Sequence, residues 1–135
     1  MLINILQETV NTLEKLISLT KEDIENIKFA KHESVFNNMK PKEELAEKFA
    51  ELKTRIDREL VKRNRPLNEI FSKEEEVLFE EFKRKLLEFN SLHKRFAKLA
   101  LSVTNFYNTL MNQIQQKQQV NYDETFSNSK LKLKA

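Results

Sequence analysis

The sequence predicts an all-α protein: an elongated antiparallel three-helix coiled-coil bundle followed by a disordered C-terminal tail. Three observations point there. The 135 residues include no glycine and only two prolines, apolar residues recur at alternating steps of three and four, and charged residues of both signs are mixed along most of the chain. Compact β and α/β folds need residues that tolerate positive φ at tight turns, and glycine is the usual one. The apolar spacing draws one stripe along a helix and builds a coiled-coil seam when it is sustained. A chain of this length is expected to form one domain.

The first stripe is Ile3, Leu6, Val10, Leu13, Ile17, Thr20, Ile24 and Ile27, which predicts a helix over about residues 2–37. Ser18–Thr20 ahead of Lys-Glu-Asp resembles a cap, but the stripe keeps its phase, so continuity is expected. Asn37-Asn38-Met39-Lys40-Pro41 ends this helix. Pro41 suits the first turn of the next, where its missing N–H would be unpaired anyway. Leu45, Phe49, Leu52, Ile56 and Leu60 mark that second helix, expected over about residues 42–64 and stopping before Pro66.

The linker Arg65–Phe71 carries Leu67, Ile70 and Phe71, which should pack on the bundle. Ser72 with Glu75 three residues later is a capping box that opens the third helix. Its seam is the longest: Leu78, Phe82, Lys85, Phe89, Leu92, Phe96, Leu99, Val103, Phe106 and Leu110, widened by Leu86, Leu101, Tyr107, Met111 and Ile114. The helix is expected over about residues 73–117, closing a bundle domain of about residues 1–118. Residues 119–135 are polar and aperiodic, so a disordered tail is expected there.

Several function classes recede on residue types alone. Without glycine there is no phosphate-cradling loop or dinucleotide fingerprint, and without cysteine no thiolate metal site or disulfide frame. His32 and His93 do not form the Glu-x-x-His pair that di-iron bundles use. No paired carboxylate or catalytic triad is apparent, so no enzyme, metal or cofactor is expected. Glu74-Glu75-Glu76 suit the positive end of a helix dipole. The clusters Lys62-Arg63-Arg65, Lys83-Arg84-Lys85 and Lys94-Arg95-Lys98 alternate with acids, as solvated helix faces do.

The net charge is +3, a small surplus without the one-sided basic footprint that nucleic acid demands. No nucleic-acid partner is expected. The opening MLINILQETVNTLEK has no basic region ahead of an apolar core, so a signal peptide is not read and a cytoplasmic location is expected.

Charge is distributed unevenly. Residues 1–98 hold 20 basic and 19 acidic side chains, residues 99–116 hold none, and residues 117–135 hold four and two. The uncharged stretch contains Ser102, Thr104, Asn105, Asn108, Thr109, Asn112, Gln113, Gln115 and Gln116, which make it too polar for membrane insertion. Length arithmetic singles out the same stretch. At 1.5 Å per residue the expected helices are roughly 53, 35 and 65 Å long. The third outruns its partners from about residue 98, or from about residue 110 if the linker runs back along the first helix. The stretch's apolar residues Leu99, Leu101, Val103, Phe106, Tyr107, Leu110, Met111 and Ile114 are then either ordinary core of a compact bundle or a partner-binding surface, with Leu99, Val103, Phe106, Tyr107, Leu110, Met111 and Ile114 as the binding candidates. A partner helix, a second copy of the chain, or a fold-back after a break near Asn90-Ser91 would cover them.

The order Leu13, Leu16, Leu19-Thr20, Glu22-Asp23, Ile24, Ile27, Ala30-Lys31-His32-Glu33, Lys42-Glu43, Leu45, Phe49, Leu52-Lys53, Ile56-Asp57 and Leu60, then Phe106-Tyr107 and Leu110, resembles the FlgN family of flagellar export chaperones. It is a diffuse pattern of heptads and polar positions over residues 6–114. The resemblance implies a cytoplasmic type III secretion chaperone that keeps hook-filament junction proteins unassembled and brings them to the export gate. It implies that Val103, Phe106, Tyr107, Leu110, Met111 and Ile114 bind the amphipathic terminal helix of the client. It also implies gate docking by a tyrosine beyond the client segment, for which Tyr122 is the candidate. The competing reading is a structural coiled-coil adaptor or self-associating bundle in which residues 99–114 form a homodimer seam.

Overall fold

The computed structural model describes residues 1–66 and 68–129, with side chains described through Lys117. Among the described residues there are three α-helices and no strand: α1 (Leu2–Lys28), α2 (His32–Arg63) and α3 (Lys73–Ser129). The chain divides into two units, residues 1–97 and residues 98–135, with the boundary inside α3. That boundary agrees with the shorter of the two length estimates.

Unit 1 is an antiparallel bundle. Its core joins Leu2, Ile5, Leu6 and Val10 of α1 to Leu52 and Ile56 of α2 and Phe82 of α3. Phe49, Leu60, Phe71, Leu78, Phe79 and Leu86 close around them. The rings of Phe71, Phe79, Phe82 and Phe49 form a chain with centroids 4.6, 5.8 and 6.1 Å apart, within the range where aromatic pairs attract beyond their buried area. Polar contacts give the register. Glu8 pairs with Lys48 and Asp23 with Lys42, so α2 descends along α1. Arg63 meets Glu75 and Lys42 meets Phe96, so α3 climbs back.

The buried positions of α1 run from Leu2 to Ile27 and include Thr9, Thr12 and Thr20. Each of these threonine hydroxyls donates to the carbonyl four residues back, at 2.7–2.8 Å. A buried hydroxyl is thereby satisfied inside its own helix. Thr20 therefore serves as a core residue, and the helix runs through it as the unbroken stripe predicts.

The first helix ends earlier than expected. Ala30 adopts φ 58°, its N–H donates to the Ile27 carbonyl at 3.1 Å, and the Lys31 N–H donates to the Asn26 carbonyl at 2.7 Å. These two bonds make a Schellman motif, the usual helix stop, built here with alanine where glycine is typical. The break at Phe29–Lys31 replaces the one read at Asn37–Pro41. Pro41 instead lies well inside α2. Interior proline normally costs a hydrogen bond and a clash with the carbonyl four residues back. Here Pro41 and Asn37 are both exposed, on a side of the helix where a freed carbonyl can be hydrated. The flanking Asn38 and Lys42 are anchored on Asp23 across the hairpin.

The second junction follows the sequence closely. α2 ends at Arg63 with Asn64 in the left-handed region, and Ile70 is buried while Phe71 is half-buried. Leu67 lies outside the described residues. The Ser72 N–H donates to Glu75 Oε1 at 2.9 Å, and the Glu75 N–H donates to Ser72 Oγ at 3.2 Å, completing the reciprocal capping box. Arg63 grips the same carboxylate with both terminal nitrogens, at 2.5 and 2.6 Å, and also donates to the Ile70 carbonyl at 2.8 Å. These arginine hydrogen bonds hold the Glu75 carboxyl at about 2, well below its ordinary 4.5, against the opposing effect of burial. One side chain thus caps α3 and ties it to the end of α2.

At the other end, backbone helix continues to Ser129, past the expected stop near Lys117 and into the segment read as a tail. No glycine or proline follows Pro66, so no stop signal of that kind interrupts it. No break occurs at Asn90-Ser91 either. Residues 130–135, the rest of the expected tail, lie outside the described residues.

Two outcomes are expected. Replacing Ala30 with glycine relieves the left-handed alanine and should stabilise the chain by about 1 kcal/mol, raising its thermal midpoint by roughly 3–5 °C in a melting scan. Glu75→Gln should destabilise it by about 2–3 kcal/mol at neutral pH. Because the folded carboxyl titrates below its unfolded value, that contribution is complete above about pH 5 and fades as the pH falls toward 2. Urea titrations should therefore show the gap between variant and parent narrowing on acidification.

Candidate functional site

Residues 98–117 of α3 present the candidate surface. At 100° per residue, Phe106, Leu99, Leu110, Val103, Ile114, Tyr107, Ala100 and Met111 follow one another around the helix and span about 140°. Gln113 and Ser102 border this arc on one side and Thr104 and Gln115 on the other, and no charge occurs from Leu99 to Gln116. Phe106 is 64% exposed, Met111 51%, Tyr107 46% and Ile114 40%. The Phe106 and Tyr107 rings meet edge to face at 5.8 Å. Leu110 is also exposed, whereas Leu99 and Val103 are half-buried. Leu101, though exposed, lies off the arc.

The seven residues expected to bind a client thus share one helix face, five of them exposed. Ser102 and Thr104 turn their hydroxyls to the carbonyls of Lys98 and Ala100, each at 2.9 Å. These local bonds satisfy the hydroxyls without bringing a charge to the rim. The side chain of Tyr122 lies outside the described residues.

Unit 1 contains a polar cluster that sequence reasoning missed. Asp23 is 1% exposed and accepts from Asn38 Nδ2 and Lys42 Nζ, both at 2.8 Å. The Lys42 ammonium also sits 4.0 Å from the centre of the Phe96 ring, a cation–π contact. The clue was the position of Asp23, three residues after Thr20 and four before Ile27 on the apolar stripe. This cluster joins α1 and α2 through the Asp23 carboxylate and reaches α3 through Lys42 on Phe96, so it holds helices together.

Sequence reasoning also missed Phe29, Phe36 and Met39, which are exposed around the α1–α2 turn. Placing the turn near Pro41 left Phe29 and Phe36 inside predicted helix and Met39 in the expected break. The His93 ring lies 5.7 Å from that of Phe89, tilted by 34°, and His32 is half-buried. Among the described residues no group of three His, Cys, Asp or Glu is placed to hold a metal ion, and no helix is long and apolar enough to cross a membrane.

Comparison with family models, with curated proteins and with solved structures returns no match. The functional reading therefore rests on the chain's own residues.

The polar cluster yields a stability test. Asp23→Ala strands the Lys42 ammonium, whose side chain is only 14% exposed, and should cost about 3 kcal/mol in chemical denaturation. Replacing the pair together, Asp23→Leu with Lys42→Met, should recover most of that loss.

Proposed function

We propose that this chain captures an amphipathic helical segment of another protein on the Leu99–Ile114 face of α3. One observation carries the reading: among the described residues, the exposed side chains of Leu101, Phe106, Tyr107, Leu110, Met111 and Ile114 all fall within the longest uncharged stretch of the sequence. Exposed apolar surface of this kind marks protein contacts. Laying an apolar helix face against it is a recurrent mode of peptide recognition. No bond is made or broken. Each large side chain contributes by leaving water, about 1.5–3 kcal/mol when fully buried, and several such contributions must exceed the cost of ordering the partner.

Read with the FlgN resemblance, the chain acts as a flagellar type III export chaperone. Its clients are hook-filament junction proteins, whose terminal helices it shields from premature assembly before delivery to the export gate. Tyr122 is the proposed gate contact, and the proposed location is cytoplasmic. What supports this version is the coincidence of two independent lines. Phe106, Tyr107 and Leu110 belong to the family-like pattern and also to the exposed arc.

The double substitution Phe106→Ala with Leu110→Ala should weaken capture of a junction-protein terminal helix at least about 30-fold, equivalent to about 2 kcal/mol. Helical content and melting temperature should stay nearly unchanged, because both side chains are exposed. Calorimetric titration of both proteins checks this, and undiminished affinity in the double variant would remove the assignment of this face.

A further inference from the structure

Nothing in the residues of the α1–α2 turn obliges the helix to stop there. Phe29-Ala30-Lys31 contains neither glycine nor proline, and Ala30 is held at φ 58°, where its Cβ crowds the following carbonyl. Lys31, at the N-cap of α2, makes no side-chain capping bond, so α2 starts without the acceptor that usually serves the first N–H groups of a helix. The apolar stripe also ignores the turn. At 100° per residue, Thr20, Ile24 and Ile27 of α1 and Leu45, Phe49, Leu52 and Ile56 of α2 would lie within about 80° of one another on one uninterrupted helix. A reversed helix can bury its seam from any starting rotation, so a hairpin by itself does not require this agreement.

We propose that the α1–α2 turn is a hinge whose opening exchanges α1 between two copies of this chain, each copy then carrying one straight helix over Leu2–Arg63. Straightening returns Ala30 to the right-handed region and replaces the bonds of the turn with the regular helical ladder. The contacts that α1 and α2 make within one chain are then made between copies, as in domain swapping generally. The register permits it. Glu8 pairs with Lys48, and Asp23 with Asn38 and Lys42; the midpoints of these pairs along the sequence fall at about residues 28–33, on the turn itself, where the twofold axis of two antiparallel straight helices would pass. Two such helices recover each pair with the same residues.

One residue opposes the exchange. Lys31 falls inside the same arc of the straight helix, one turn beyond Ile27, and beside the twofold axis it faces its own counterpart. In the closed turn Lys31 is exposed. In the dimer two ammonium groups approach each other on a seam with no counter-charge, which costs them hydration. The closed form thus carries a left-handed alanine and the open form a lysine pair, and protein concentration shifts the balance between them. The hinge lies within unit 1 and does not depend on the capture reading.

A distance within one chain decides the matter, and the absence of cysteine leaves introduced cysteines as the sole labelling sites. Gln7→Cys with Lys53→Cys in the full chain puts spin labels on exposed positions of α1 and α2. In the closed hairpin the two helix axes lie about 8–10 Å apart, whereas along a straight helix the two positions are about 70 Å apart. Labelled chain is refolded with an excess of unlabelled chain at rising total concentration, so that only distances within one chain are read. The dimer resolved by sedimentation should carry the long distance and the monomer the short one. Ala30→Val, which the left-handed region penalises more heavily, and Lys31→Leu should each raise the dimer association constant at least about tenfold. Ala30→Gly, which relieves the closed turn, should lower it.

A dimer that keeps the short distance would show the copies meeting through another face and would overturn the exchange. So would parent-like association in both Ala30→Val and Lys31→Leu, or the absence of a dimer in all four proteins up to millimolar concentration. Should the valine variant fail to fold, Lys31→Leu and Ala30→Gly carry the same comparison from opposite sides.

Discussion

A helix covers its neighbour only along its own length, and the three helices here are unequal. At 1.5 Å per residue, the 27 residues of α1 make about 40 Å, the 32 of α2 about 48 Å and the 57 of α3 about 85 Å. α1 and α2 lie side by side in opposite directions, so their lengths do not add. The apolar surface that unit 1 can seal is set by these two shorter rods. This inequality separates the side chains of α3 into two kinds. Phe82 is buried against Leu6 and Leu52, while Phe106 stays largely in water although it occupies the same kind of seam position.

Two polar assemblies pin the bundle that the apolar seam would otherwise define loosely. Leucine and phenylalanine tolerate sliding by a turn, because most neighbours in a heptad pattern look alike. A buried ion pair does not, since a shift leaves charges without partners in a medium that solvates them poorly. The Arg63–Glu75 pair fixes the α2–α3 junction, and the Asp23–Lys42–Asn38 cluster fixes the α1–α2 hairpin and holds Phe96 through the lysine. Their contribution is to register more than to net stability.

The legible parts of the sequence were those whose signal is local. Ser72 and Glu75 lie three residues apart and make the capping box that their spacing predicts, and the α2 stripe through Leu52 and Ile56 is the stripe that is buried. The α1–α2 turn was misplaced because its stop signal is carried by an unusual residue. A left-handed C′ position is ordinarily glycine, so Ala30 reads as a good helix former, while Pro41 reads as a boundary that tertiary anchoring overrides. Asp23 was passed over because a single acid on an apolar stripe announces itself only when its partners, fifteen and nineteen residues on, are placed beside it. The candidate face was legible as an uncharged, wide apolar arc. Its exposure depended on where unit 1 ends, which two equally plausible paths of the linker left open.

The same face has an energetic character that suits it to binding. A helix in a globular protein draws most of its stability from packing an apolar side, since isolated helices of this length are marginal. Ser102, Thr104, Asn105, Asn108, Thr109 and Asn112 are poor helix formers. With Phe106, Leu110 and Ile114 exposed, little tertiary burial offsets that weakness, which places these turns at the low end of local stability. A partner that covers the arc therefore both removes apolar surface from water and supplies the packing the helix lacks, so ordering and binding reinforce each other. Substituting alanine at Asn105, Asn108 and Asn112, on the side of the helix away from the arc, would raise helix propensity and lower this ordering cost. Coupling between helix order and capture would thus appear as tighter binding from substitutions that never touch the partner.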